Sequence, residues 1–166
     1  LKLVRKDHAI PLSDVLPVLE DMGLLVIHEQ PYEFVTARAG RFWMHDFRVQ
    51  PVEAMALEIE QIRDPFQEAF ARVWRGEVES DGFNQLVLHG LDWRQILVLR
   101  AYCKYLQQVG IPFSQAYMEQ TLAHNPALAR QAAELFEAKF DPDAAGDRQA
   151  QLARLEAQFR AGLDAV

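Results

Sequence analysis

The residues able to do chemistry in this chain are few, and their spacing excludes more than it permits. Of five histidines, His8, His28, His45, His89 and His124, no two are four apart, so none form a pair of metal ligands on one helical face. Cys103 is the single cysteine, which rules out a disulfide within the chain; set in an apolar helical run, it reads as a small buried hydrophobe in a reducing compartment. His45 and Asp46 are adjacent on a strand pattern and therefore point to opposite faces, unable to share a proton or an ion. Ser13 beside Asp14 and Ser80 beside Asp81 read as caps and turn formers, with no histidine close in sequence to activate a hydroxyl. The eight glycines never fall two apart, so neither a dinucleotide fingerprint nor a phosphate-cradling loop can be assembled. These residues predict no catalytic, cofactor or metal site within the chain.

Composition narrows the classes further. With 166 residues, half of them hydrophobic and a quarter charged, the chain has ordinary globular usage and enough length for a core without staples. A formal charge of -7 opposes a phosphate-binding surface, so nucleic acid is excluded as an expected partner. No apolar run approaches the roughly 20 residues of a membrane span, and no secretory leader is visible, so a cytoplasmic protein without a membrane partner is expected. The chain opens at Leu1 in strand-like sequence and closes at Val166 in helical sequence, which suggests a segment of a longer polypeptide.

The elements that must position any site begin with Pro11 to Tyr32. Leu12, Val15, Leu16, Leu19 and Met22 line one helical face, Ser13 is the expected N-cap, and Gly23 is placed for a left-handed C-terminal turn. Leu24 to Ile27 then read as a buried strand ended by Pro31. Leu1 to Arg5 is a strand before this helix. Arg41 to Val49 alternates cleanly, with Trp43, His45, Phe47 and Val49 on one face, and Gly40 supplies the turn of an antiparallel hairpin. The result is a β-α-β-β unit whose open sheet needs a helical cover.

Further on, Pro51 to Gln61 has helical spacing at Met55, Ile59 and Ile62, and Asp64 followed by Pro65 reads as the start of a new helix to Arg75 ended by Gly76. An acidic loop, Glu77 to Gly82, leads to a short helix with Phe83, Leu86 and Val87. Asp92 and Gln95 form a capping box, with Leu91 and Ile96 as its hydrophobic staple, for a helix to Gly110. Its apolar residues run most of the way round and leave Arg100, Lys104, Gln107 and Gln108 as polar relief, so it is expected to be the centre of a bundle. Ser114 caps the next helix, with Phe113 and Met118 as staple, and Asn125-Pro126 starts another that ends near Phe140. Asp141 to Asp147 reads as a linker, and Leu152, Leu155, Phe159, Leu163 and Val166 stripe a last helix capped by Asp147.

The stretches PLSDVLPVLEDMGLLVIHEQPYEF, WMHDF, FQEAFARVWRGEVESDGFNQLVLHGLDWRQILVLRAYCKYLQQVGIPFSQAYMEQTL and LFEAKFDP, taken in that order, resemble the large bacterial NAD-dependent glutamate dehydrogenases. The resemblance implies an α+β fold, a small β-α-β-β ACT-like (ferredoxin-like) unit followed by an α-helical bundle. It divides the chain into an ACT-like module at 1–62, a helical motif at 63–141, and a linker with the start of a helix at 142–166. It implies a parent enzyme that converts L-glutamate, NAD and water to 2-oxoglutarate, ammonium and NADH, with NAD as the parent's cofactor and the catalytic residues beyond Val166. Within it, this segment is expected to serve regulation or oligomerisation, its partners being the rest of the same polypeptide and other subunits of a homo-oligomer.

ACT modules of this kind bind amino-acid effectors near the loop between the first strand and first helix, which is Lys6 to Ile10 here. The glycine that lets the backbone approach such a ligand is replaced in KDHAI, so a purely structural module is expected, with Asp7 and His8 as the contacts if an effector does bind. Two alternatives stand beside this reading: a free-standing helical interaction module, and an amino-acid-sensing ACT domain without enzymatic role.

Overall fold

The computed structural model describes residues 1–38, 40–142 and 147–166. Ala39 in the expected hairpin turn and residues 143–146 of the expected linker lie outside the described residues. The element order is β1 (Lys2–Lys6), α1 (Leu12–Asp21), β2 (Leu24–Thr36), β3 (Gly40–Pro51), α2 (Ile59–Trp74), a 3₁₀ segment (Gly82–His89), α3 (Trp93–Gln108), α4 (Gln115–His124), α5 (Pro126–Phe140) and α6 (Arg148–Leu163). The strands form an antiparallel sheet in the order β1-β3-β2, with Leu3 opposite His45 and Pro31 opposite His45 from the other side. This is the α+β arrangement expected, an ACT-like unit followed by helices.

α1 buries Val15 and Leu19 completely against the sheet, as its spacing predicts, and Gly23 leaves it at φ 76. Its start differs from the expectation. Pro11 is the N-cap and the Ser13 hydroxyl donates to Asp14 Oδ1 instead of accepting a backbone N–H. Proline's fixed φ already suits the first turn, so no side-chain cap is required to begin it.

β2 also differs: it is neither short nor ended by Pro31 but continues to Thr36, and Leu25 and Ile27 are exposed rather than buried. Pro31 survives because of where its nitrogen points. Phe47 and Leu1 exchange both backbone bonds, so residues 43, 45 and 47 of β3 bond to β1 and residues 42, 44 and 46 bond to β2. Tyr32 and Gln30 therefore face β3, whereas Pro31 faces the open edge, where no N–H is needed. A bulge between Val26 and His28 shifts the register by one residue. Beyond it Glu29, paired with Phe47, shares the core-facing side of the sheet with His45.

Pro51 to Glu58 is not the start of a helix, and Asp64 is not a cap: α2 begins at Ile59 and runs through Pro65. Pro65 is the seventh helical residue, so its missing N–H forfeits one bond to Gln61, an interior loss offset by burial of Ile62, Phe66, Ala69 and Val73. α2 runs unbroken across residues 62 and 63, and one buried cluster joins Val15, Leu19 and Phe47 to Phe66, Phe83, Leu86, Ile96, Leu99 and Ala129. The sheet unit and the helices that follow share a single core. A surface clasp reinforces it: the Arg72 guanidinium lies 3.8 Å over the Trp93 ring, and Trp93 Nε1 donates to Glu68 Oε1 at 2.9 Å.

α3 has its expected capping box, with Arg94 and Gln95 N–H donating to Asp92 and the Gln95 side chain accepting from Asp92 N–H. It is not the all-round buried axis of a bundle. Ile96, Leu99, Arg100 and Cys103 are buried on one face, while Leu97, Tyr102, Tyr105 and Leu106 are exposed. Ser114 and Asp147 cap α4 and α6 as expected, and α6 buries Leu155 while leaving Leu163 exposed; it ends there, so Val166 lies beyond the helix, exposed, rather than on its stripe.

Candidate functional site

Two places concentrate polar chemistry: the loop between β1 and α1, and a buried ionic cluster where α3 meets the 3₁₀ segment. The loop is a tight reversal. His8 N–H donates to Lys6 O at 2.9 Å across Asp7, whose φ of 69 is the single positive value at a non-glycine among the described residues. Asp7 thus occupies the left-handed conformation in which a glycine would be unstrained.

Three of the loop's N–H groups, those of Asp7, His8 and Ile10, are already used. Asp7 N–H donates to Arg41 O at 2.9 Å, and Ile10 N–H donates to His45 Nε2 at 3.0 Å. Because that ring nitrogen accepts, the proton sits on Nδ1 and is donated to Glu29 Oε1 at 2.7 Å. His45 is buried, 4% exposed, and Glu29 is nearly so. The bulge in β2 therefore has a purpose legible in geometry: it turns Glu29 toward His45, which fixes the tautomer that holds Ile10. With the N–H groups of Asp7, His8 and Ile10 all bonded internally and Pro11 having none, the loop lacks the row of free amides that grips a carboxylate. The Asp7 and His8 side chains are exposed.

Arg100 is the residue that sequence reasoning misplaced. Expected as surface relief on α3, it is 2% exposed and lies at the centre of the second cluster. Its Nε and Nη2 donate side by side to Asp81 at 2.7 and 2.8 Å, and Nη2 also reaches Asn84 Oδ1 at 2.8 Å and Glu79 O at 3.3 Å. Asp81 does two jobs, since its Oδ1 also accepts from Phe83 N–H and caps the 3₁₀ segment. Lys104 holds the Glu79 carboxylate at 2.5 Å and lowers its pKa, chiefly through that hydrogen bond. Gln115 and Glu119 close the cluster from α4, where a Cβ on Gly82 would stand 2.6 Å from Glu119 Oε2 and would have to displace that carboxylate. One signal for Arg100 was available: it continues the buried row formed by Ile96, Leu99 and Cys103.

Neither place assembles a nucleophile with a base. The Cys103 thiol is pushed up to about 11 by burial first and then by the Glu119 and Asp81 carboxylates, so it stays protonated at neutral pH. Among the described residues no group of three or more His, Cys, Asp and Glu side chains is placed to hold a metal ion, and no helix is long and apolar enough to cross a membrane. What both clusters do chemically is fix backbone: one pins the β1–α1 loop to the sheet, the other ties the acidic loop, α3 and α4 into one body.

A family model described as glutamate dehydrogenase, ACT3 domain, matches residues 1–62, and one described as glutamate dehydrogenase, helical motif 3, matches residues 78–142. An NAD-specific glutamate dehydrogenase of Halomonas elongata is 45% identical over 143 residues, 86% of this chain and 9% of the relative. Those of Mycobacterium tuberculosis and Pseudomonas aeruginosa are 39% identical over 164 residues and 38% over 140, covering 93% and 84% of this chain but 10% and 9% of their own lengths. The chain thus spans about a tenth of the curated relatives it matches.

Proposed function

Because the chain belongs to the NAD-specific glutamate dehydrogenases, as their third ACT domain and third helical motif, we propose that it is a noncatalytic structural segment of such an enzyme. Its work is to hold the subunits of a cytoplasmic homo-oligomer together. The parent polypeptide oxidises L-glutamate to 2-oxoglutarate and ammonium with reduction of NAD, on residues outside 1–166. The observation that carries the structural role is the occupied loop: Asp7, His8 and Ile10 spend their N–H groups on Arg41, Lys6 and His45. A module built to sense an amino acid needs such donors free for the ligand's carboxylate. The shared core supports the same reading, since it makes 1–62 and the helices one rigid spacer.

The test has two parts. A polypeptide that contains residues 1–166 and the sequence beyond should reduce NAD with glutamate, whereas residues 1–166 alone should not. Isothermal titration of this chain with amino acids should give no saturable heat. Saturable binding abolished by Asp7→Ala and His8→Ala would instead establish the sensing role, for which those two exposed side chains are the contacts.

A further inference from the structure

The sheet stops at β1, and its hydrogen-bond pattern fixes which groups look outward there. Leu1 and Phe47 exchange both backbone bonds, at 2.8 and 2.9 Å, so by alternation Leu3 and Arg5 also face β3. Lys2, Val4 and Lys6 turn their N–H groups to the open edge. The opposite edge is different, because Pro31 interrupts its outward row of donors and blunts it against pairing.

The layer beside β1 is also unfilled. A cavity of about 500 Å³ opens between Leu1 and Leu3 on the sheet and Ile62, Phe66 and Phe70 on α2, with Arg63 at its side. Ile59 and Trp74 at the two ends of α2 remain exposed, and Val4 is 64% exposed. A split β-α-β-β-α-β unit closes with a strand after its second helix, but here the chain leaves α2 through Gly76 into the acidic loop and the 3₁₀ segment.

We propose that the β1 edge receives a fourth, antiparallel strand from outside residues 1–166. That strand carries apolar side chains toward α2, where they fill the cavity, and acidic ones on the opposite face. The charge of the edge selects this chemistry. Lys2 and Lys6 share that opposite face by strand alternation; Lys2 is shared with Asp46 at 3.2 Å, and Lys6 has no ion-pair partner among the described residues. A second copy of β1 would set these cations against one another, and like charges opposed across strands destabilise the pairing. A second copy of β2 would bring Pro31 to the ladder. The proposal rests on the reading of this chain as one part of a larger polypeptide.

The test uses the full-length protein and two readouts. In residue-resolved amide exchange, a docked strand should slow Lys2, Val4 and Lys6 by at least about tenfold below the rates of unstructured chain, together with Leu3 and Arg5. An alternating pattern, slow at Leu3 and Arg5 but fast at Lys2, Val4 and Lys6, would overturn the proposal. Zero-length carbodiimide coupling should join Lys6 to an Asp or Glu outside residues 1–166, and Val4→Pro, which removes an outward donor and no bond to β3, should abolish that product. Coupling of Lys6 to a second copy of this segment, or protection without any coupling, refutes the occupant named here. Neither readout depends on glutamate oxidation, so a failure of the enzymatic assignment would be seen separately.

Discussion

Replacing Arg100 with methionine should cost this chain a large part of its stability, and the size follows from what is left behind. Methionine keeps most of the buried volume, so the loss is chiefly electrostatic. Asp81, with a side chain 12% exposed, would keep only the Phe83 N–H at 3.2 Å and the Gln115 amide at 3.4 Å. Removing one partner of a buried pair typically costs about 3–5 kcal/mol, because the remaining charge is uncompensated. Against a total of about 5–15 kcal/mol for a domain, that is roughly a fifth or more of the stability. It corresponds to a fall of about 6–20 °C in Tm at roughly 2–4 °C per kcal/mol for a chain of this size. Urea unfolding followed by the fluorescence of Trp43, Trp74 and Trp93 measures it. The companion variant Arg100→Met with Asp81→Asn removes the stranded charge while keeping a side chain able to cap Phe83. It should recover at least about 1 kcal/mol over Arg100→Met alone, the coupling expected of residues in contact. A loss below about 1 kcal/mol for Arg100→Met, or no recovery in the double variant, would refute the account of this cluster.

Further outcomes follow from the other contacts. His45→Ala should leave Ile10 N–H without its acceptor, destabilise by about 1–3 kcal/mol and accelerate exchange of the Ile10 amide specifically. Asp7→Gly and Asp7→Val should separate by about 1–2 kcal/mol in favour of glycine, because valine tolerates φ 69 poorly; equal stabilities would remove the strain argument. Cys103 should react slowly with thiol reagents at pH 8 in the folded chain and fast in urea. Because its pKa rises from 9.0 unfolded to about 11 folded, the unfolded chain loses its proton first, so stability should fall as pH rises between those values, and Cys103→Ala should flatten that slope. Leu19→Ala, made in the sheet unit, should cost about 2–5 kcal/mol and shift a single unfolding transition for the whole chain. Two separate transitions would contradict a shared core.

Periodicity and capping rules were enough for elements whose signals are local. The α3 capping box, the Asp147 and Ser114 caps, the stripe of α1 and the alternation of β3 are all satisfied by residues within four positions of one another. What was not legible depended on partners far away in sequence. Pro65 looked like a helix start because its missing N–H is free only there, yet burial of Ile62 and Phe66 carries α2 through it. Pro31 looked like a strand end, and its tolerance depends on which way β3 bonds, a property of the Leu1–Phe47 register, whose partners are 46 residues apart, rather than of Pro31 itself. Arg100 looked like solvent-facing relief because its neutralising partner, Asp81, sits in a loop that reads on its own as a turn. For the candidate site, Asp7 was named from the position of its loop, but the use of that loop's amides by Arg41 and His45 needed the folded sheet.

The central claim is that this segment builds the enzyme rather than senses for it, and light scattering of the full-length protein tests it most directly. With Arg100→Met the particle mass should fall below that of the unmodified enzyme, while the paired variant Asp7→Ala and His8→Ala should leave it unchanged with or without amino acids. An unaltered mass for Arg100→Met, together with an amino-acid-dependent change of mass that the Asp7 and His8 variant abolishes, would contradict it.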